Sequence, residues 1–498
     1  MSITNISVIV VYFAIVLYIG GRTAKFVKTA EDYMVAGRNL GFMAFMILIV
    51  GSVMSGMTVL GSSGLSYIAG WPSMWEPIFV CFSVAVLMVV FGTKIHRVCA
   101  KFGYNTVQDY LARRFESPKI VRGLAGVAGM VISFIYLVGQ FRAITIVLSW
   151  YFKIPDIYAL LISSIVITVY VLLGGLYAVA YTTLVQGLAL IIGAIVLMPV
   201  VIQKAGGLTY INTRLAQIDP NMVSLAYPQV HPPVEGYAFL TPLYLVSFFF
   251  LLTFGLATAP HALNNVLSAK KASYYKWAPF WAFLIYIVSF TFIKIGGLAA
   301  RAMAIDGLFT VPHPDYAIVA AIEHSFPESL WVLFAIIVLA AVMSTTDRLM
   351  LTIGSIFSWD IYRNLLHPEA DDAKVRKISR LTVLLSGIFA FFLAIKPPAL
   401  LAWLIWMGIG LMLSTYCAPL LAGLYWKRAT REGGIAGMVV GLVVAIIAGY
   451  IAQFVRPLPV HFSILGFIAS SLALIIVSLL TPPPSKETLE DCEVGFSF

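Results

Sequence analysis

Apolar residues in this chain do not alternate with polar ones; they run in blocks. Stretches of about 18 or more, the length of a membrane-spanning helix, recur at 5–21, 41–68, 74–93, 123–151, 156–174, 182–203, 238–262, 277–299, 329–357, 379–395, 399–425, 434–453 and 461–481. A run of that length at 1.5 Å per residue crosses about 30 Å of hydrocarbon. The pattern predicts about thirteen transmembrane helices, numbered here in chain order. The longest polar connections, 205–236 and 94–122, are loop-sized, and the segment after Thr481 is too short and polar for a core of its own. The run from Ile6 to Gly20 has no basic region before it and no small-residue cleavage site, so it reads as a retained span.

Two spans look broken. The second reads Gly51-Ser52-Val53-Met54-Ser55-Gly56-Met57-Thr58 at mid-depth, and the seventh reads Gly255-Leu256-Ala257-Thr258-Ala259-Pro260. Hydrocarbon tolerates freed backbone groups only where they line a cavity or bind an ion. The breaks lie five spans apart, the spacing of an inverted repeat of spans 2–6 and 7–11 with a site between broken helices. The plainer alternative is that these glycines only allow close helix packing.

Composition narrows the class. With 61% hydrophobic and 11% charged residues, the chain departs from soluble domains, which carry about 25% charged residues. A net charge of +10 would raise the question of nucleic acid in a soluble protein, but here the cations sit in short loops, where they set orientation. One set of alternate loops carries Arg22, Lys25, Lys28 and Arg38, then Lys94, Arg97, Lys101, Arg113, Arg114, Lys119 and Arg122, with further Lys and Arg after spans 7, 9 and 11. The opposite set has Lys153, Lys204, Arg214, Lys396 and Arg456. This bias predicts an outside N-terminus, a cytoplasmic C-terminus and no nucleic-acid partner. No GxxxxGK[ST] is present to cradle ATP phosphates, and there is no HExxH and no nucleophile with a base. The reading is a gradient-driven transporter and not an enzyme.

Four segments carry a family resemblance. Asp32-Tyr33-Met34-Val35-Ala36-Gly37-Arg38 resembles the "DYxxAGR" stretch that follows the first helix of the sodium:solute symporter family. Gly174-Gly175 before the sixth helix, Ala340-Ala341-Val342-Met343-Ser344-Thr345-Thr346-Asp347 in the ninth, and Gly423-Leu424-Tyr425-Trp426-Lys427-Arg428 in the eleventh are similar to it as well, so the resemblance covers nearly the whole chain. Pro260-His261 with a Lys-rich loop, and Lys396-Pro397-Pro398, look most like the bacterial pantothenate and organic-acid permease branch. Asn264 and Asn265 stand where that branch often has a basic residue. The resemblance implies an all-α, leucine-transporter-like five-plus-five inverted repeat and sodium as coupling ion. The implied divisions are an extra N-terminal helix and inside loop (1–40), repeat 1 (41–203), repeat 2 (238–425), two C-terminal helices (434–481) and a cytoplasmic tail (482–498).

It also implies a sodium site: carbonyls of Gly51 and Met54 from the second span, with the carbonyl of Ala341 and the hydroxyls of Ser344 and Thr345 from the ninth. The chemistry suits the ion, which needs hard oxygens, and positions 341, 344 and 345 share one helix face. The alternative is that the hydroxyls bond only their own preceding turn. Asp347 matches a family position and is expected on the inner exit of the ion path, or else as a neighbour pair with Arg348 at a hydrated helix end. The family's sixth helix opens with Thr-Asp, whereas this chain has Thr182-Thr183; the acid is missing at Thr183, which opens proton coupling as an alternative.

For cargo, sugar-carrying relatives have Glu-Gln where Met57 and Thr58 stand, so a polyol is disfavoured. The expected substrate residues are Ser55, Met57 and Thr58 in the second span, Gln140 and Arg142 in the fourth, and Thr258 in the seventh. Arg142 lies eight residues before Trp150, roughly 12 Å below the outer end, where it is placed to clamp a substrate carboxylate, or else to snorkel toward the outer surface or pair with a protein carboxylate. His261 has a structural or a proton-linked reading. The expected function is sodium-coupled import of a small carboxylate, a monocarboxylate or pantothenate-like acid, by an inner-membrane protein working as a monomer. The alternatives are a proline-like amino acid as cargo, a proton-coupled variant, and a membrane sensor that binds without transport.

Overall fold

A computed structural model describes residues 3–228, 240–395 and 401–492; Lys396-Pro397-Pro398 and the end of the tail lie outside them. Among the described residues all regular structure is helical, apart from one isolated bridge between Leu40 and Ala269. Among the described residues ten helices are long and apolar enough to span a membrane, and two bent pairs raise the number to twelve. The thirteenth span is hidden in Asp156–Lys204. Its 49 residues would reach about 73 Å if straight, over twice the hydrocarbon thickness. Gly175, at φ 52° and ψ −145°, divides it into the fifth and sixth spans. Only glycine adopts that conformation readily, and a Cβ there would meet the Tyr33 ring at 2.5 Å.

Both broken spans are where the glycine and proline pattern puts them. The second is Phe42–Val53 followed by Met57–Ala69, bent by 53°; the seventh is Pro242–Gly255 followed by Pro260–Val266, bent by 44°. The seventh breaks because proline disfavours helical geometry in the residue before it: Ala259 is extended and Pro260 opens the next turn. The ninth span, Glu328–Leu366, packs on the fourth, Ile120–Phe152, and on both halves of the Asp156–Lys204 pair's surface, while the eighth, Ala278–Ile305, packs on the outer half of the second. The twelfth, Arg431–Val455, and thirteenth, Phe462–Leu480, lie against each other beside the eleventh.

The basic loops are ordered by caps. Thr29 and Asp32 form a capping box, as do Thr106 and Asp109, so each aspartate satisfies free N–H groups at a helix start. The Asp32–Arg38 motif is thus a structural corner: Arg38 turns back to Glu31 at 2.9 Å and also reaches the Tyr104 carbonyl. Beside it, Arg122 pairs with Asp109 and, at 3.2 Å, with Asp360, whose carboxylate also accepts from Thr106 at 2.9 Å. The tail is more ordered than its polarity suggests. Lys486–Asp491 forms a short helix tied by Glu487 and Asp491 to Arg113.

Candidate functional site

The break in the second span satisfies itself with side chains. In a continuous helix the Ser55 N–H would bond the Gly51 carbonyl; here it donates to Thr58 Oγ1 at 3.1 Å, and the Met57 N–H donates to Ser55 Oγ at 3.1 Å. Ser and Thr offer the backbone such local partners. The Gly56 N–H donates to Gln140 Oε1 of the fourth span at 3.1 Å. Tyr286 of the eighth span donates to the Val53 carbonyl at 3.2 Å and meets Thr58 at 3.2 Å, and Tyr136 meets Ser55 at 3.3 Å. The carbonyls of Gly51 and Met54 are left facing the ninth span.

There they meet the two hydroxyls. Ser344 Oγ donates to Gly51 O at 3.2 Å and to Ala341 O at 2.9 Å, and Thr345 Oγ1 donates to Gly51 O at 3.2 Å and to Met54 O at 3.3 Å. All five residues expected around sodium therefore converge, with oxygen spacings of 2.9–3.3 Å. Five hard, uncharged oxygens at that spacing, drawn from two helices, suit a small hard cation, with the hydroxyl hydrogens turned outward when it binds. Ser344 bonds its own turn and the facing helix together, and Thr345 bonds the facing helix, so the hydroxyls are not confined to their own preceding turn. The close approach needs glycine at 51, since a Cβ there would lie 2.4 Å from Thr183 Cγ2.

Other expected residues fall differently. Ser55, Met57, Thr58 and Gln140 gather at the break, all buried, and Gln140 Nε2 has no hydrogen-bond partner. Thr258 is buried too, but its hydroxyl bonds back to Phe254 and Gly255 of its own helix. Arg142 lies apart from them. Two residues on a helix lie about 200° apart, so a fourth span that aims Gln140 at the break aims Arg142 away from it. Its guanidinium bonds Asp156 at 2.7 Å, with the two side chains 24% and 51% exposed. Such a pair contributes about 0–1 kcal/mol. Arg142→Gln is therefore expected to lower the melting temperature slightly and to leave ligand-induced stabilisation at its wild-type size.

Asp347 and Arg348 are not a neighbour pair at a wet helix end. Both are fully buried; Asp347 accepts from Tyr170 at 3.0 Å, while Arg348 donates to the Leu48 carbonyl at 3.0 Å and to Thr183 Oγ1 at 2.6 Å. Thr183 thus lies beside the five-oxygen cluster and takes a guanidinium bond. The sequence reading missed the tyrosines 136, 170 and 286 as site residues, and it had no reason to prefer them among 24 tyrosines. His261 is packed edge-on to Tyr136, with ring centroids 5.4 Å apart.

Two helices broken at mid-depth, five spans apart, with an oxygen cage beside one break, define a secondary membrane transporter of the leucine-transporter-like fold. The sequence profile described as "Sodium:solute symporter family" matches residues 33–441, and the chain belongs to that family; sodium is its coupling ion. Among relatives, it is 26% identical to the sodium/pantothenate symporter of Escherichia coli (strain K12), over 87% of each chain. It is 25% identical to the osmoregulated proline transporter OpuE of Bacillus subtilis (strain 168), over 98% of this chain and 96% of that one. Its fold is similar to a solved Na+-coupled sialic acid symporter in a substrate-bound, outward-open state, with a TM-score of 0.78 at 21% identity, covering 97% and 99% of the two chains.

Proposed function

We propose that this symporter imports a small organic carboxylate, with sodium held by Gly51, Met54, Ala341, Ser344 and Thr345. The observation that carries the reading is the N-terminus of the outer half-helix Met57–Ala69. The N–H groups of Gly56 and Met57 point out of it and are held by the neutral oxygens of Gln140 and Ser55. A helix N-terminus favours an anion, and a carboxylate can take the place of both oxygens while the unpartnered Gln140 Nε2 supplies a further donor. No arginine is needed for this. Pantothenate and proline, the solutes in the relatives' names, share a carboxylate and little else.

Sodium and substrate meet on one short stretch. Sodium joins the residues before the break to the ninth span, which fixes the half-helix that receives the anion. Each ligand then tightens the other by the same factor. The repeats run over 41–203 and 238–425, and Asp347 with Thr183 lies on the ion path. The loop charges support an N-terminus outside and a C-terminus in the cytoplasm, with the protein held in the inner membrane. One chain contains every group named here, so the functional unit is a monomer.

The test is the thermal stability of purified protein against a panel of small carboxylates, amino acids and sugars, each in sodium and in choline chloride. A ligand at 100 times its Kd stabilises by about 2.7 kcal/mol. The expected result is an upward shift with a carboxylate that needs sodium. A shift with sugars alone, or a carboxylate shift of equal size in choline, sinks the proposal.

A further inference from the structure

The arginine on the ninth span sits between the oxygen cage and a second polar space. Its Nη1 bonds the Leu48 carbonyl, one helical turn, roughly 5 Å, before the Gly51 carbonyl. Its Nη2 bonds Thr183, whose methyl group touches Gly51. On its own helix it follows Thr345 by three residues and Ser344 by four, the spacing of one face. On the other side it lines a cavity of about 10 Å³ together with Asn105, Asn264, Asn265, Thr352 and Ser355, room for about one water. Asn105 Oδ1, Asn265 Nδ2, Ser355 Oγ and Arg348 Nε are buried there without hydrogen-bond partners. Asn105 lies in the loop after the third span, one of the strongly basic set.

A buried cation is costly and is kept where it has a function. Its hydrogen-bonding partners here, a carbonyl and a hydroxyl, are neutral, and the nearby Asp347 carboxylate turns to Tyr170. We propose that Arg348 is a resident cation that lowers the sodium affinity of the Gly51–Thr345 cage through like-charge repulsion, so that bound sodium is released more readily. The proposal rests on sodium occupying that cage. Thr183, standing where the family's sixth helix carries an acid, accepts the guanidinium's hydrogen bond without cancelling its charge.

Sodium binding is read on the purified full-length protein as the sodium concentration giving half of the sodium-dependent thermal stabilisation, with choline chloride keeping ionic strength constant. Arg348→Gln is expected to lower that concentration about tenfold, the effect of removing a unit charge a turn or so away in a partly screened interior. Arg348→Lys keeps the charge and stays near wild type. A structural role for Arg348 would move sodium binding the other way, because damage to the cage weakens it. If Arg348→Gln does not fold, Thr183→Asp, which neutralises the guanidinium in place, is expected to tighten sodium in the same direction, with Thr183→Asn as the neutral control. A folded Arg348→Gln with unchanged or weaker sodium binding overturns the proposal; if that variant does not fold, the same result in Thr183→Asp does. Loss of the sodium response in Thr345→Ala, beside such a result, leaves the cage standing and removes only the role of Arg348; a wild-type response in Thr345→Ala removes the cage itself.

Discussion

Replacing Ser344 and Thr345 together by alanine is expected to raise the sodium concentration needed for half-maximal stabilisation by about 10²–10⁴, since each contact to a charged group contributes about 1.5–3 kcal/mol. Both hydroxyls lie within 3.3 Å of carbonyls that the broken second span leaves free. Without them the ion keeps the three carbonyls of Gly51, Met54 and Ala341, too few to replace its hydration shell. The melting temperature in choline is expected to fall as well, because the buried Gly51 and Met54 carbonyls lose their hydroxyl donors, so the sodium midpoint is the readout. The check is a pair of sodium titrations of melting temperature, wild type and double variant. A double variant that keeps the wild-type midpoint would place sodium elsewhere.

Lys294→Met is expected to destabilise the protein by about 3–5 kcal/mol, the cost of leaving one partner of a buried ion pair alone. Lys294 Nζ lies 3.0 Å from Glu76 Oε2 and 3.0 Å from the Ser62 carbonyl, with the two side chains 0% and 2% exposed. The pair ties the eighth span to the third and to the outer half of the broken second span, and so holds the half-helix whose N-terminus is proposed to receive the substrate. Adding Glu76→Leu to Lys294→Met is expected to recover most of the loss, because apolar residues of similar volume replace a buried ion pair at little cost. Unfolding midpoints of the two single variants and the double variant form the test. A double variant no more stable than Lys294→Met would show that the charges are held by groups other than each other.

The sequence analysis did not single out that pair: each charge stands alone in an apolar run, and nothing in the order of residues joins positions 218 apart. Asp347 and Arg348 teach the same lesson from the other side. Adjacent in sequence, they suggest a pair, but successive helix residues point about 100° apart, and each finds its partner on a different span. The five oxygen-bearing residues followed from the family resemblance; spacing adds only the local half, since Ala341, Ser344 and Thr345 share one helix face and Gly51 marks the opposing break.

The sequence alone determined the thirteen spans, the places where two of them break and the residue types offered to an ion. Hydrocarbon leaves a chain few other ways to satisfy its backbone, so these features follow from length, hydropathy and glycine or proline placement. Tertiary structure decided which way each helix turns its sides. Arg142 went to Asp156 and Gln140 to the break because the fourth span is rotated by what it packs against. Arg348 reached Thr183 only through the docking of the sixth span on the ninth, a contact between side chains 165 positions apart that no local periodicity encodes.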